Sequence, residues 1–148
     1  MNRRILYIAL LLISVQKISI AQNAGGKVYL LENDDVNKPK ILTLYQDRQG
    51  LILCGTTKGL YRFDGFDFTA YPQEGLTSTE VTAIFQTRDN KLWIGYNNGN
   101  LGLLTGDAIT PIKFEEGLPK LPIRSITQDD AGIVWIGTAG EGLYYFKG

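Results

Sequence analysis

Gln128-Asp129-Asp130-Ala131-Gly132-Ile133-Val134-Trp135-Ile136-Gly137-Thr138 decides the fold, because the chain says nearly the same thing twice before it. Gln46, Gln86 and Gln128 open three copies of one pattern, and Gly55, Gly95 and Gly137 close the apolar run that follows each. Both sets step by 40 and then 42 residues. Between copies, Glu74-Gly75-Leu76 returns as Glu116-Gly117-Leu118. A fixed period of this length marks a repeat architecture, in which each copy is one supersecondary unit.

The second copy shows what the unit is. Val81 to Phe85 alternates and is partly β-branched or aromatic, Arg88-Asp89-Asn90-Lys91 is a polar turn, and Leu92-Trp93-Ile94-Gly95 is a second strand. Asn97-Asn98-Gly99 leads into a third strand at Leu101 to Leu104, and Thr105-Gly106-Asp107 into a fourth at Ala108 to Phe114. No segment of helical period competes. Four short strands repeated at this spacing predict an all-β fold, a partial β-propeller of about three four-stranded blades plus an N-terminal closing strand. A meandering β-sandwich is the alternative, but its strands need not repeat. The expected divisions are 22–40 for the closing strand and its loop, 41–80 and 81–122 for two blades, and 123–148 for an incomplete third.

Gly59, Gly99 and Gly142 follow short polar stretches, where a positive φ is expected. A phosphate cradle is the sharper reading of such glycines, but none leads into a helix N-terminus. Trp93 and Trp135, with Leu53 at the matching position, are expected to fill the space between blades.

Composition narrows the chemistry. At 44% hydrophobic and 20% charged residues the chain is of ordinary globular character, and 15 basic side chains balance 15 acidic ones, which argues against nucleic acid as partner. The absence of histidine excludes Ser-His-Asp and Cys-His catalysis, histidine-ligated zinc and phosphohistidine transfer within these residues. The single cysteine, Cys54, lies in an apolar run and reads as a small buried hydrophobe. No metal site and no cofactor are expected.

The first 21 residues read as a signal peptide. Arg3 and Arg4 precede an apolar run from Ile5 to Val15, too short to span a bilayer, and Ser19-Ile20-Ala21 offers small residues before a cut at Gln22. Cleavage takes Arg3, Arg4 and Lys17 from the 15 basic side chains, leaving 12 against 15 acidic ones. The expected location is periplasmic or extracellular.

The pattern Gln-Asp-x-x-Gly-x-x-Trp-Ile-Gly-Thr, completed by Gly142-Leu143-Tyr144-Tyr145-Phe146-Lys147-Gly148, resembles the two-component regulator propeller repeat. The first copy departs at Leu53-Cys54, where the family has Trp-Ile, and the second at Tyr96, where it has Thr. The resemblance implies a ligand-sensing ectodomain segment of a two-component signalling protein, anchored at the inner membrane in its parent. It implies a glycan or other small molecule as ligand and further blades and signalling domains as partners, and it admits a homodimer of the parent. Propellers close with four to eight blades. Val28 to Leu31, which align with Phe68 to Tyr71, therefore read as a strand that clasps a ring with blades beyond this sequence. On that reading the chain is an N-terminal fragment, poorly folded alone.

No enzyme constellation stands out. Asp64 with Asp67 and Asp129 with Asp130 are the near carboxylate pairs, and each lies at a turn. A passive scaffold and an exported carbohydrate-active enzyme are the alternative functions. Ligand contacts are expected at one end of the blades, in the loops 34–40, 73–80 and 115–122 and the turns 56–59, 96–99 and 138–142. Lys40, Lys58, Glu80, Tyr96, Asn98 and Glu141 are the candidate residues there, as polar groups able to bond a sugar or pair with a charge.

Overall fold

Alternating apolar residues and regularly spaced turns become three antiparallel meanders in the computed structural model, which describes residues 39–113 and 117–147. The expected signal peptide and the clasp strand at Val28 to Leu31 lie outside the described residues. The first sheet holds β1 (Ile41–Gln46), β2 (Ile52–Thr56), β3 (Gly59–Phe63) and β4 (Phe68–Ala70). The second holds β5 (Val81–Gln86), β6 (Leu92–Tyr96), β7 (Leu101–Thr105) and β8 (Ala108–Pro111). The third holds β9 (Ile123–Gln128), β10 (Val134–Thr138) and β11 (Leu143–Phe146). The fourth strand of the second sheet stops at Pro111, short of the expected Phe114. Pro111 has no N–H for the ladder, and only Ile112 N–H goes on to bond Leu101 O at 2.8 Å.

The sheets pack face to face as blades, with β5 against both β1 and β9. This is a partial all-β propeller. Alternation on β6 shows why the stack is stable: Leu92, Ile94 and Tyr96 point to the first blade, and Trp93 to the third. One apolar layer joins Leu53 and Leu60 to Val81, Ile84, Ile94 and Ile109. The other joins Ala83, Trp93 and Leu101 to Ile123, Ile126, Val134 and Ile136. Each fully buried Leu or Ile in these layers contributes about 2 kcal/mol. A bulge on each first strand puts Val81 and Ile84, three residues apart, on one face.

Gly95 has a reason visible only across blades. A Cβ there would lie 2.6 Å from Ile123 Cγ2 and 2.8 Å from Ile123 Cβ, so the missing side chain sets how closely the third blade approaches. Gly55 stands in the same relation to Val81, 2.7 Å from its Cγ1 and 2.9 Å from its carbonyl oxygen.

A polar latch repeats beside each apolar layer. Arg48 N–H donates to Gln86 Oε1 at 2.9 Å, and its guanidinium to Arg88 O at 3.0 Å and Asn90 Oδ1 at 2.6 Å. One blade on, Arg88 N–H donates to Gln128 Oε1 at 2.9 Å and its guanidinium to Asp130 Oδ1 at 2.8 Å. Each glutamine turns its amide back to its own turn, Gln128 Nε2 donating to Gly132 O at 3.0 Å. These turns need a left-handed residue, supplied by Gly50, Asn90 and Gly132. Asparagine tolerates that backbone region better than most residues.

The expectation for the tryptophan positions holds for two of three. Leu53 and Trp93 are buried between blades, whereas Trp135 is only half-buried. No described blade follows the third, so Trp135 lies against Tyr145 of its own sheet, with centroids 5.6 Å apart.

Candidate functional site

The end of the blades carrying the β2–β3 type turns is tied down by many of its own polar groups. Asn98 Nδ2 donates to Thr77 Oγ1 at 2.9 Å, and its Oδ1 accepts the Asn100 N–H. Glu141 Oε2 accepts the N–H groups of Lys120 at 2.7 Å and Leu121 at 3.2 Å. Both side chains hold a turn to the loop that enters its blade. Lys40 and Glu80 serve through their backbones, their carbonyls accepting from Thr57 and Asn97. The Lys58 N–H donates to Thr56 Oγ1.

Tyr96 does not belong to this exposed end. It is the last residue of β6, fully buried in the first apolar layer, with its hydroxyl donating to Gln73 Oε1 at 2.9 Å. Burial pushes its phenol far above the ordinary range. The ring is accommodated because Gly102, beside it on β7, leaves space that a tyrosine fills at the matching positions 61 and 144. As a correction to the sequence reading, Tyr96 packs the core and presents nothing to a ligand.

None of the six residues lines the principal clefts among the described residues. One such cleft, about 500 Å³, runs between the first and second blades on the side of the Arg–Gln latch. Asp47, Arg48, Arg62, Tyr71, Gln86 and Asp107 supply its polar groups, and Leu51, Leu92 and Leu104 its apolar wall. Arg48 and Gln86 are spent on the latch. Asp47 caps its turn, Oδ1 accepting from Gln49 and Leu51 N–H at 2.9 Å each. The Arg62 guanidinium, Tyr71 hydroxyl and Asp107 carboxylate make no hydrogen bond among the described residues, and burial raises the pKa of Tyr71. A cation, a neutral hydroxyl and an anion around one half-apolar cleft suit a polyhydroxylated or zwitterionic small molecule. Sequence reasoning missed the cleft, although Arg48 and Arg88 occupy the same place in two repeats.

A family model described as the two component regulator propeller matches residues 75–98 and 117–140, the latch-bearing second and third copies. These are two-component regulator propeller repeats. Among solved structures, the repeats are similar to the extracellular domain of a hybrid two-component system from B. thetaiotaomicron, at 31% identity and a TM-score of 0.59. That match covers 71% of this chain and 14% of the other, so the chain spans a small part of that relative's length. They are also similar to virginiamycin B lyase from Staphylococcus aureus, at 22% identity and a TM-score of 0.56, over 80% of this chain and 44% of that one. At that identity the likeness carries the propeller fold alone. No curated protein matches the chain.

Three of the four paired aspartates, Asp64, Asp129 and Asp130, have structural work. Asp64 Oδ1 accepts the N–H groups of Phe66 and Asp67 at 2.9 Å each, and these bonds hold its carboxyl below the ordinary value. Asp129 Oδ2 accepts the Trp135 indole N–H at 2.8 Å, the main cause of its lowered pKa, and Asp130 pairs with Arg88. A general acid needs a raised pKa, so neither Asp64 nor Asp129 is tuned for that role. The second repeat has Thr87 where the third has Asp129, and Thr87 Oγ1 bonds Asp89 and Lys91 O instead. Among the described residues, the Trp93 indole N–H, buried between blades, has no acceptor.

Proposed function

We propose that this chain is a ligand-sensing propeller segment working outside the cytoplasm, and that it binds rather than transforms its ligand. The observation that carries the reading is the 31% identity to a two-component extracellular domain over 71% of the chain, joined to the repeat match. That Asp64 and Asp129 are held low by their hydrogen bonds, and so are not tuned as general acids, supports binding over catalysis. The ligand is a glycan fragment or a comparably polar small molecule, and its occupancy is passed to a signalling output. Its seat is the cleft between the first two blades, where Arg62, Tyr71 and Asp107 offer groups not used by the fold. Lys40, Lys58 and Glu80 at the opposite end form the competing seat.

Calorimetric titration of the full chain with a panel of neutral and charged oligosaccharides tests this. Saturable binding is expected, weakened at least tenfold by Arg62→Ala and by Asp107→Asn. Binding that survives both changes but fails in Lys58→Ala or Glu80→Ala moves the seat to the loop end. Silence across the panel refutes glycan sensing.

A further inference from the structure

A second cleft, about 320 Å³, adjoins the seat between the first two blades. Arg62, Tyr71 and Asp107 line both clefts, and no other lining residue is shared. Beyond those three, the first cleft is walled by the latch and by Leu51, Leu92 and Leu104. The second is walled by Thr69, Ala70 and Pro72, from β4 and the chain just after it. A small-molecule site takes about 300 Å³ or more. Each cleft therefore holds a unit of its own, and the three shared residues form the saddle where two units meet.

Both ends of this groove are tied across the blades. At one end Arg48 N–H donates to Gln86 Oε1 at 2.9 Å, and these two residues line only the first cleft. At the other, Ile109 N–H donates to the carbonyl of Pro72, which lines only the second, at 3.0 Å, and Gln73 bridges to Ile109. A groove pinned at both ends by inter-blade hydrogen bonds is preformed and of finite length. The saddle is fixed as well, because the Tyr71 ring packs against the first apolar layer. Arg62 stands opposite Thr69 in the β3–β4 ladder, so the two side chains share one face of the sheet. Arg62 belongs to the first blade and Asp107 to the second, yet among the described residues no ion pair joins them. A cation and an anion that line the same two clefts without meeting leave room for a ligand whose hydroxyls both accept and donate.

We propose that the ligand is a linear oligosaccharide of at least two units, laid along the boundary of the first two blades with one unit in each cleft and the glycosidic link over Arg62, Tyr71 and Asp107. This rests on the reading of the first cleft as the ligand seat. A single sugar fills one cleft and leaves the other to water, whereas the second unit of an oligomer arrives already tethered and binds without a second loss of translational freedom. The leucine wall takes the apolar face of one ring, and Thr69 with the saddle bonds the hydroxyls of the next. By contacting Arg62 of one blade and Asp107 of the other, the oligomer also cross-links the two blades, so its binding raises Tm.

Calorimetric titration of the full chain with glucose, galactose, mannose and N-acetylglucosamine, each as the monomer and as linear oligomers of two to four units, tests it. The expected result is an affinity at least tenfold higher for the dimer or trimer of one series than for its monomer, levelling off by four units. Ala70→Trp and Gln49→Trp fill the second and the first cleft from exposed positions. Either change lowers the oligomer's affinity to that of the monomer, while thermal melts without ligand show the fold intact. Equal affinity for monomer and oligomers, or affinity still rising at four units, overturns this proposal and leaves the seat standing. A length dependence that both tryptophan variants preserve places the oligomer elsewhere and overturns the proposal too. Silence at every length removes the seat itself, and the proposal with it.

Discussion

Replacing Gly95 by alanine isolates what the repeat glycine does. The new Cβ would sit 2.6 Å from Ile123 Cγ2, 2.8 Å from Ile123 Cβ and 3.2 Å from Ala83 Cβ. Carbon atoms prefer roughly 3.5–4.0 Å. Rotation about χ1 moves Ile123 Cγ2 but not its Cβ, which is fixed by the backbone of a fully buried strand, so the third blade must slide outward. Overpacking of this kind costs about 1–3 kcal/mol. Alanine also narrows the unfolded ensemble, returning about 0.4–1 kcal/mol. The net loss is about 1–2 kcal/mol, and each kcal/mol shifts Tm by roughly 4–8 °C in a domain of this size. Gly137 is the control within the same chain. Its Cβ would meet Ser125 Oγ at 2.5 Å, a group that rotates away, and otherwise nothing nearer than 3.9 Å. Gly137→Ala should therefore stay within about 0.5 kcal/mol of the parent. Urea titrations followed by tryptophan fluorescence read both. Equal losses at the two positions would refute the argument that inter-blade approach, rather than strand geometry, demands glycine.

Three further outcomes follow from the same geometry. Arg88→Ala removes an exposed ion pair and the guanidinium latch, and its cost is about 1 kcal/mol or less, shrinking with added salt in thermal melts. Asp64, Asp89 and Asp129, all lowered from an ordinary 3.8, each contribute to acid stability. Their stabilisation is whole above that value and disappears as pH falls through the lower folded values; with no histidine in the chain, Tm is flat from about pH 5 to 8 and drops below about 4. The difference between the parent and Asp129→Asn narrows over that acid range. Burial raises the Cys54 thiol pKa, so a maleimide labels it slowly in the folded chain and rapidly in urea; fast labelling of folded protein contradicts its place in β2.

What the sequence determined by itself is the blade. Its strands and turns rest on contacts between residues a few positions apart: alternation, polar turns and left-handed glycines such as Gly99 and Gly142. The register of the copies made the propeller legible before any contact was known. Only the tertiary structure decided what each face of a blade touches, because those partners lie about forty residues away and a bulge resets the alternation. Val81 and Ile84 share a face that a strict two-residue period would divide between two. That is why Tyr96, polar and beside a turn, is core, and why Asn98 and Glu141 hold loops together. It is also why the cleft at Arg62, Tyr71 and Asp107 was invisible: those residues come together when β3, the chain just after β4 and the β7–β8 turn are placed side by side, which no local pattern encodes.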